Sequence, residues 1–372
     1  MSRKLTAGLP NKMYFPQLDS IRGISFLAIF LFHAIHISND DFLLGGFIKY
    51  LHKNLPLGLE VFFILSAFLL TYLGLNEYKN RHNFSFKNYF TRRILRIWPL
   101  YFFILVLAFL VFPQIARLSG MSLTLPNSLY YLLFIANFYT IDHVFFLRFL
   151  WTISVEEQFY LFWGLSLRFL HKKLKIVIVI LFLLSVSSSV LAVVTNSGSY
   201  YHTITYLFDF ACGASAAILI FSGNRLINRV KNFSHTETYL FYSYLIFHFV
   251  IFYFLDSYTT GPTNAFAALL NRYLFICYIS LFLIEQMTND VRTKMFAQSR
   301  FLIATGKLSY GLYCFHGITI TFINLLLAHF KINVISWLLV IIYFVINYVI
   351  AAISYRFLEL PLLKLKNRWR RI

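Results

Sequence analysis

The sequence predicts an all-α protein, a polytopic bundle of about ten helices that cross a lipid bilayer. Of the 372 residues, 59% are hydrophobic and 13% are charged, whereas a soluble globular domain has about 25% charged residues. Only 15 glycines and 8 prolines occur, which favours long helices over the short strands and turns of a membrane barrel. Phenylalanine alone contributes 44 residues. This composition excludes an ordinary soluble domain and predicts a multi-pass protein of the cell membrane.

Apolar stretches long enough to cross a bilayer recur along the whole chain. A membrane-spanning helix needs about 20 consecutive, mostly apolar residues. Stretches that meet this requirement are predicted to span at 20–38, 57–75, 95–112, 150–170, 176–195, 203–221, 238–256, 265–286, 302–328 and 333–357.

The charges of the connecting loops predict the topology, because cytoplasmic loops are enriched in lysine and arginine. Basic and charge-poor loops alternate only if the short apolar segment 129–141 does not cross the membrane. We therefore predict that this segment is a re-entrant or interfacial element on the outer side, and that both termini are cytoplasmic. The loop 38–56 carries Lys49 and Lys53 on the predicted outer side, a mild departure from the rule.

The chain is predicted to be a single integral membrane domain, 1–372. No low-complexity segment, long linker or clear internal repeat interrupts it. We expect no cleavable signal peptide, because Met1 to Lys12 is polar and short. The net charge of +19 is concentrated in short loops, so it indicates membrane topology and not nucleic-acid binding. The three cysteines lie in apolar stretches and form no disulfide framework.

The first predicted span carries an arginine and two histidines, which are unusual in a helix that crosses hydrocarbon. Arg22 and His33 are eleven residues apart, about three helical turns, so they lie on nearly one face. His33 is predicted near the middle of the membrane, Arg22 near its cytoplasmic surface, and His36 on the same face. Two interpretations stay open. Either Arg22 is a topology anchor and His33 a hydrogen-bonded core histidine, or the two residues belong to a functional site.

Two adjacent carboxylates, Glu156 and Glu157, lie near the start of the predicted span 150–170. Thr152 or Ser154 is suited to cap this helix, and acidic residues near its start favour the helix dipole. That structural interpretation explains one or both glutamates. Because adjacent side chains on a helix point about 100° apart, the alternative is that one of them faces a cavity.

Three arginines cluster at a predicted cytoplasmic membrane boundary. Arg92, Arg93 and Arg96 all lie in the stretch "FTRRILRIWPLYFF". They are either topology anchors or a phosphate site, since planar guanidinium groups pair well with phosphate oxygens.

Further polar side chains lie within predicted spans. A lone serine such as Ser66 usually bonds back to its own helix. Tyr313 and His316 fall on one helical stripe among small residues, and helix packing is the favoured interpretation of His316. At the end of the last span, Arg356 and Glu359 are spaced to form a structural ion pair.

The sequence contains no zinc signature and no glycine-rich phosphate loop, so no metal is predicted.

Six ordered motifs together resemble the acyltransferase-3 family of integral membrane O-acyltransferases, which includes bacterial O-acetylases of surface glycans. "LDSIRG" followed by "FH" is similar to the family's opening motif, an arginine, ten residues and a histidine. "EVFFILSAF" is similar to its phenylalanine-serine-glycine-phenylalanine signature; Ala67 and Ser20 stand where the family usually has glycine. "RRILRIWPLY", "LWTISVEEQFYLFW", "LSYGLYCFHG" and "YRFLELP" follow in the expected order. The resemblance covers residues 18–361.

The resemblance implies a membrane enzyme that takes an acyl group, usually acetyl, from cytoplasmic acyl-CoA. The acceptor it implies is a hydroxyl on the far side of the membrane, commonly on a glycan sugar. The donor would be acyl-CoA (acetyl-CoA), no metal would be needed, and no fused extracytoplasmic hydrolase-like domain is expected.

Roles for individual residues follow from the resemblance as hypotheses. His33 acts as general base on the acceptor hydroxyl, or carries the acyl group itself as an acyl-imidazole, and the sequence does not choose between these. Arg22 orients the donor, and Glu156 or Glu157 orients His33 or the acceptor. The phosphates of acyl-CoA are expected to meet Arg92, Arg93 or Arg96. The substrate channel is expected to include Asp19, His36, Ser66, Tyr313 and His316.

A secondary transporter is the alternative function, because transporters also place ionisable residues at the membrane midplane. Transporters often show inverted repeats and glycine- or proline-broken helices in matching halves. Neither feature is evident in this sequence. A partner protein without chemistry of its own is a third interpretation, and the acyltransferase is favoured over both.

Overall fold

A computed structural model describes residues 14–35, 45–118, 124–139, 145–198, 200–288 and 293–366. Within these ranges every regular element is helical and no strand occurs, which confirms the all-α prediction. The α-helices are α1 (Pro16–Ala34), α2 (Gly46–Asn54), α3 (Gly58–Arg81), α4 (Phe86–Val106), α5 (Phe112–Leu118), α6 (Ser128–Leu132), α7 (Phe145–Arg148), α8 (Trp151–Phe169), α9 (Leu174–Val194), α10 (Leu207–Ser222), α11 (Arg225–Lys231), α12 (His235–Tyr258), α13 (Gly261–Thr288), α14 (Thr293–Gln298), α15 (Arg300–His329), α16 (Ser336–Ser354) and α17 (Leu360–Lys366). Short 3₁₀ turns occupy Leu55–Leu57, Ala136–Phe138, His171–Lys173 and Thr203–Tyr206, and π-helical segments occupy Leu107–Val111 and Tyr355–Glu359.

Long helices occupy every predicted span. In the described part of the chain, eight helical segments are long and apolar enough to cross a membrane: Gly46–Arg81, Phe86–Leu118, His171–Val194, Thr203–Ser222, His235–Tyr258, Gly261–Thr288, Arg300–His329 and Ser336–Leu365. The other two predicted spans correspond to α1 and α8, which have 19 residues each. The prediction of a polytopic helical membrane protein is confirmed, while the count of ten spans and the cytoplasmic termini stay predictions.

The segment 129–141 does not form a helix of membrane length. Its described part contains the five-residue helix α6 and the 3₁₀ turn that follows it; residues 140 and 141 lie outside the described ranges. The side-chain amide of Gln158 in α8 donates to the carbonyl oxygen of Phe134 and to Oδ1 of Asn137, both at 2.8 Å. Asn137 is only 1% exposed. The described part of the segment is therefore tied to α8 and is too short to span a membrane, while its location on the outer side stays a prediction.

Several helix ends follow local capping chemistry. Ser85 accepts a hydrogen bond from the backbone N–H of Asn88 at 3.3 Å and so begins α4. Ser234 and Glu237 form a capping box at the start of α12, because each side chain accepts from the other's backbone N–H. Gly223 ends α10 with a φ of 62°, a left-handed conformation that glycine adopts without steric cost.

The packing of α1 on α15 positions the site. A Cβ atom at Gly306 would lie only 1.7 Å from the carbonyl oxygen of Asp19, so the two backbones are in direct contact there. Small residues allow such close approach in membrane helices. As a result, His33 in the last turn of α1 lies beside His316 in the middle of α15.

The predicted ion pair between Arg356 and Glu359 is wrong. Both residues fall in the π-helical segment after α16, where a wider turn changes which side chains share a face. Arg356 is exposed and its guanidinium lies 5.8 Å from the ring of Phe357. Glu359 is buried and faces α15, because its Oε1 lies 3.1 Å from where a Cβ would stand on Gly311.

Candidate active site

A cavity of about 80 Å³ lies between α1, α3, α4, α8 and α15. Three arginines, Arg22, Arg93 and Arg96, contribute to its lining, together with one carboxylate, Glu156. With three guanidinium groups against a single carboxylate, the lining is suited to bind an anion. We call it the arginine cavity.

Glu156 is held in this cavity by two hydroxyl groups. Ser66 on α3 donates to one carboxylate oxygen at 3.1 Å, and Tyr160 donates to the other at 2.8 Å. Tyr160 is four residues along α8 from Glu156, the spacing at which helical side chains meet, and the guanidinium of Arg93 lies 5.7 Å from its ring centroid. The expected bond of Ser66 back to its own helix is therefore wrong, because its hydroxyl donates to a carboxylate of another helix.

Glu157 points away from the arginine cavity. Its Oε2 accepts a hydrogen bond from the indole N–H of Trp98 at 3.2 Å, and it does not contribute to the cavity lining. The capping interpretation of the two glutamates is wrong: α8 begins at Trp151, no side chain caps it, and both glutamates lie in its second turn. Neither Thr152 nor Ser154 acts as the cap.

The predicted arginine cluster is divided. Arg93 and Arg96 line the cavity, where Arg22 from α1 joins them. Arg92 does not contribute to the lining, and its Nη2 lies 3.4 Å from Oε2 of the buried Glu77 on α3. Arg22 is itself paired, one turn along its helix, with Oδ1 of Asp19 at 3.2 Å.

His33 does not line the arginine cavity. We expected the first span at 20–38, but the helix runs from Pro16 to Ala34 and His33 is in its last turn; the depth of His33 near the middle of the membrane stays a prediction. The imidazole ring lies 4.5 Å from the ring of Phe149 and 5.2 Å from that of His316, between centroids. His36 falls outside the described residues.

His316 pairs with His33 through ring contact, a proximity that spacing within one helix did not predict. Its Nδ1 donates to the carbonyl oxygen of Tyr313 at 2.5 Å, so its Nε2 carries the lone pair. The ring is 0% exposed, and Nε2 has no hydrogen-bond partner in the described part of the chain. Tyr313 lines the arginine cavity and its ring lies 5.3 Å from that of His316, so it connects the cavity with the imidazole pair.

A buried charged cluster was missed at the sequence level. The guanidinium of Arg272 on α13 makes two bonds of 2.9 Å to Glu60 on α3 and one of 2.5 Å to Asp209 on α10. All three side chains are buried or nearly so. Each of the three charged residues lies within a predicted apolar span, and a charge in such a span is the only feature of the sequence that indicated the cluster.

The geometry therefore combines a cavity lined by three arginines with two adjacent imidazoles, and Nε2 of His316 has no hydrogen-bond partner among the described residues. An anionic substrate held by arginines next to a proton acceptor is the arrangement that a group-transfer reaction needs. Within the described ranges, no group of three metal-ligating side chains is found.

Comparison with known proteins relates this arrangement to a family. The model of the acyltransferase-3 family, described as an acyltransferase domain, matches residues 15–356. The chain is 26% identical to the O-acetyltransferase OatA of Staphylococcus aureus, over 94% of this chain and 57% of that relative. It is 27% identical to the peptidoglycan O-acetyltransferase OatA of Listeria monocytogenes, over 95% of this chain and 56% of that relative.

The chain thus spans a little more than half the length of these curated relatives. No solved structure matches it. The family match includes α1 with Arg22 and His33, every residue that lines the arginine cavity, and the helix that carries His316. The chain belongs to the acyltransferase-3 family.

Proposed function

We propose that the chain is a membrane O-acyltransferase that moves an acyl group, in particular acetyl, from cytoplasmic acyl-CoA to a hydroxyl of an extracytoplasmic glycan. The observation that carries the proposal is the arginine cavity, separated from the His33–His316 pair by the side chain of Tyr313. Family membership supports acyl transfer, and the names of the relatives support acetyl transfer to oxygen.

The donor is bound through its phosphates. Acyl-CoA is a polyanion, and guanidinium groups form paired hydrogen bonds with phosphate oxygens. Arg93 and Arg96 lie on neighbouring turns of α4, and Arg22 faces them from α1. In this proposal the three arginines hold the phosphates while the acyl-bearing arm extends past Tyr313 toward the imidazoles.

His33 serves as general base in the transfer step. It takes the proton of the acceptor hydroxyl while that oxygen attacks the carbonyl carbon of the thioester. The carbon–sulfur bond breaks, and the departing CoA thiolate takes the proton back from the imidazolium. An acyl-imidazole on His33 is the second route. The two routes differ in one observable, because mixing the protein with donor alone releases a rapid burst of about one equivalent of CoA only in the second.

Reconstituted vesicles test the proposal directly. The purified protein is placed in liposomes that enclose a peptidoglycan-derived oligosaccharide, and acetyl-CoA labelled in its acetyl group is added outside. We expect label to enter the enclosed oligosaccharide and to be released from it by mild alkali, as an ester is. Label that stays in acetyl-CoA or in water-soluble acetate, with none in the oligosaccharide, would contradict the proposal.

Donor affinity is expected to depend on the cavity arginines and not on their neighbour. Arg93→Ala and Arg96→Ala each remove charge-assisted hydrogen bonds to phosphate, worth about 1.5–3 kcal/mol, so the KM for acetyl-CoA should rise about tenfold or more. Arg92→Ala is the matched control on the same helix. Because Arg92 is paired with the buried Glu77, Arg92→Ala should lower thermal stability and leave the donor KM within about twofold. An equal rise in KM for all three variants would overturn this assignment.

A further inference from the structure

A second cavity lies at the N-terminal end of α8. Its enclosed part is small, about 10 Å³, and aromatic side chains make up most of its wall: Tyr131, Tyr139, Trp151 and Tyr201. It shares no lining residue with the arginine cavity. Small-molecule sites are lined mainly by apolar and aromatic side chains with a few polar groups, which is the composition of this lining.

The second cavity adjoins the proposed chemistry along α8. Trp151 lines the second cavity, whereas the next residue, Thr152, lines the arginine cavity. Arg148, which lines the second cavity, immediately precedes Phe149, whose ring lies 4.5 Å from that of His33. A molecule bound at the second cavity is therefore next to the imidazole pair without occupying the donor cavity.

The aromatic rings are held in fixed orientations. Tyr201 packs edge-on against Trp151, with centroids 5.2 Å apart and an interplanar angle of 90°. Tyr139 stacks on Tyr130 at 4.6 Å. Aromatic residues of a membrane-interface belt point outward into the headgroup region, but Trp151 is only 7% exposed and Tyr131 is 0% exposed. These rings are directed into the protein, which is unlike a belt and typical of a ligand platform.

One buried hydroxyl group in the lining of this cavity has no hydrogen-bond partner among the described residues. It is the hydroxyl of Tyr131. A buried hydroxyl normally finds a partner, so an unpaired one in a cavity wall indicates a site for an incoming polar group. An enclosed space of about 10 Å³ admits a single water-sized group. A sugar hydroxyl has that size, whereas a whole sugar ring would have to lie across the mouth.

We propose that this second cavity is the acceptor subsite, and that it binds a pyranose ring of a glycan. The apolar C–H face of the ring packs on the half-buried rings of Tyr139 and Tyr201 at the mouth of the cavity, and one non-reacting hydroxyl enters the cavity to bond with the Tyr131 hydroxyl. A different hydroxyl of the same acceptor then faces His33. This inference rests on the proposed function, because it supplies the acceptor for the same transfer.

Kinetics with the reconstituted full chain separate the subsite from the rest of the enzyme. Tyr131→Phe removes only the hydroxyl and keeps the buried ring, so folding is preserved. We expect it to raise the acceptor KM for a peptidoglycan-derived oligosaccharide about tenfold, with the donor KM and the release of CoA in the absence of acceptor unchanged. Tyr139→Ala removes one stacking face and should act on the acceptor KM in the same direction. Tyr239→Phe and Tyr239→Ala, at an exposed tyrosine on α12, are the matched controls.

Direct binding tests the same subsite without catalysis. Equilibrium dialysis of labelled oligosaccharide against the protein, with no donor present, should show weaker binding for Tyr131→Phe and Tyr139→Ala than for the parent and the Tyr239 controls. Unchanged oligosaccharide binding and unchanged acceptor KM in both variants would overturn the subsite while transfer itself continued. A parent protein that binds oligosaccharide through Tyr131 yet transfers no acyl group would instead overturn the proposed function alone.

Discussion

Replacing His33 by alanine is expected to lower acyl transfer by about a hundredfold to ten-thousandfold, the range that a positioned general base contributes. The ring of His33 is in contact with Phe149 and with His316, and the ring of His316 lies 5.3 Å from that of Tyr313, which lines the arginine cavity. Without the imidazole of His33, no other described imidazole occupies that position, since the ring centroid of His316 lies 5.2 Å away.

The measurement is the initial rate of transfer from labelled acetyl-CoA to oligosaccharide, per mole of folded protein. His33→Gln is the informative second variant: it keeps a polar side chain of similar length but cannot hold a proton, so it should lose as much activity as alanine. His235→Ala, at an exposed histidine of α12, controls for a general effect of losing an imidazole. Full activity in both His33 variants would remove this residue from the chemistry.

Replacing Arg272 by methionine is expected to destabilise the protein by about 3–5 kcal/mol, the effect of removing one partner from a buried charged pair. Arg272 bonds to Glu60 and Asp209 and also donates to the carbonyl oxygen of Thr205 at 3.2 Å, so it joins α3, α10 and α13. Without it, two carboxylates face each other in an apolar interior with no cation between them.

Thermal unfolding in detergent measures this effect, with Arg225→Met at an exposed arginine of α11 as the control. The triple variant Arg272→Met, Glu60→Gln and Asp209→Asn removes all three charges and should recover part of the lost stability, because no unpaired charge stays buried. The thermal stability of Arg272→Lys should fall between those of the parent and the methionine variant, since an ammonium group keeps the charge but cannot bond bidentately to Glu60. A methionine variant as stable as the parent would show that the cluster contributes nothing to the fold.

The helices were predictable because their cause is local. A segment that crosses hydrocarbon must satisfy its own backbone hydrogen bonds and carry about 20 apolar residues, and both requirements can be assessed without knowing the neighbours. The non-spanning character of 129–141 was predictable for a related reason, since the alternation of loop charge depends on sequence alone. The boundary of α1 was predicted four residues too late at each end, because a helix end depends on contacts beyond the apolar run.

The partners of the polar residues were less predictable. Spacing along one helix indicates which side chains share a face, but it does not indicate which helix lies opposite. Ser66 was expected to bond to its own backbone, yet it donates to Glu156, which lies 90 residues further along the chain. Arg92 and Arg93 are adjacent in sequence, but only Arg93 lines the arginine cavity while Arg92 faces Glu77.

The sequence by itself determined the membrane class, the positions of the helices and which polar residues lie within apolar spans, where burying a polar group costs free energy. Only the tertiary structure decided how those residues combine: Arg22 with Arg93 and Arg96, and His33 with His316. The physical reason is that hydrophobicity acts along the chain, whereas hydrogen bonds and ring contacts act across the few ångströms between helices, and those distances exist only after the bundle has packed.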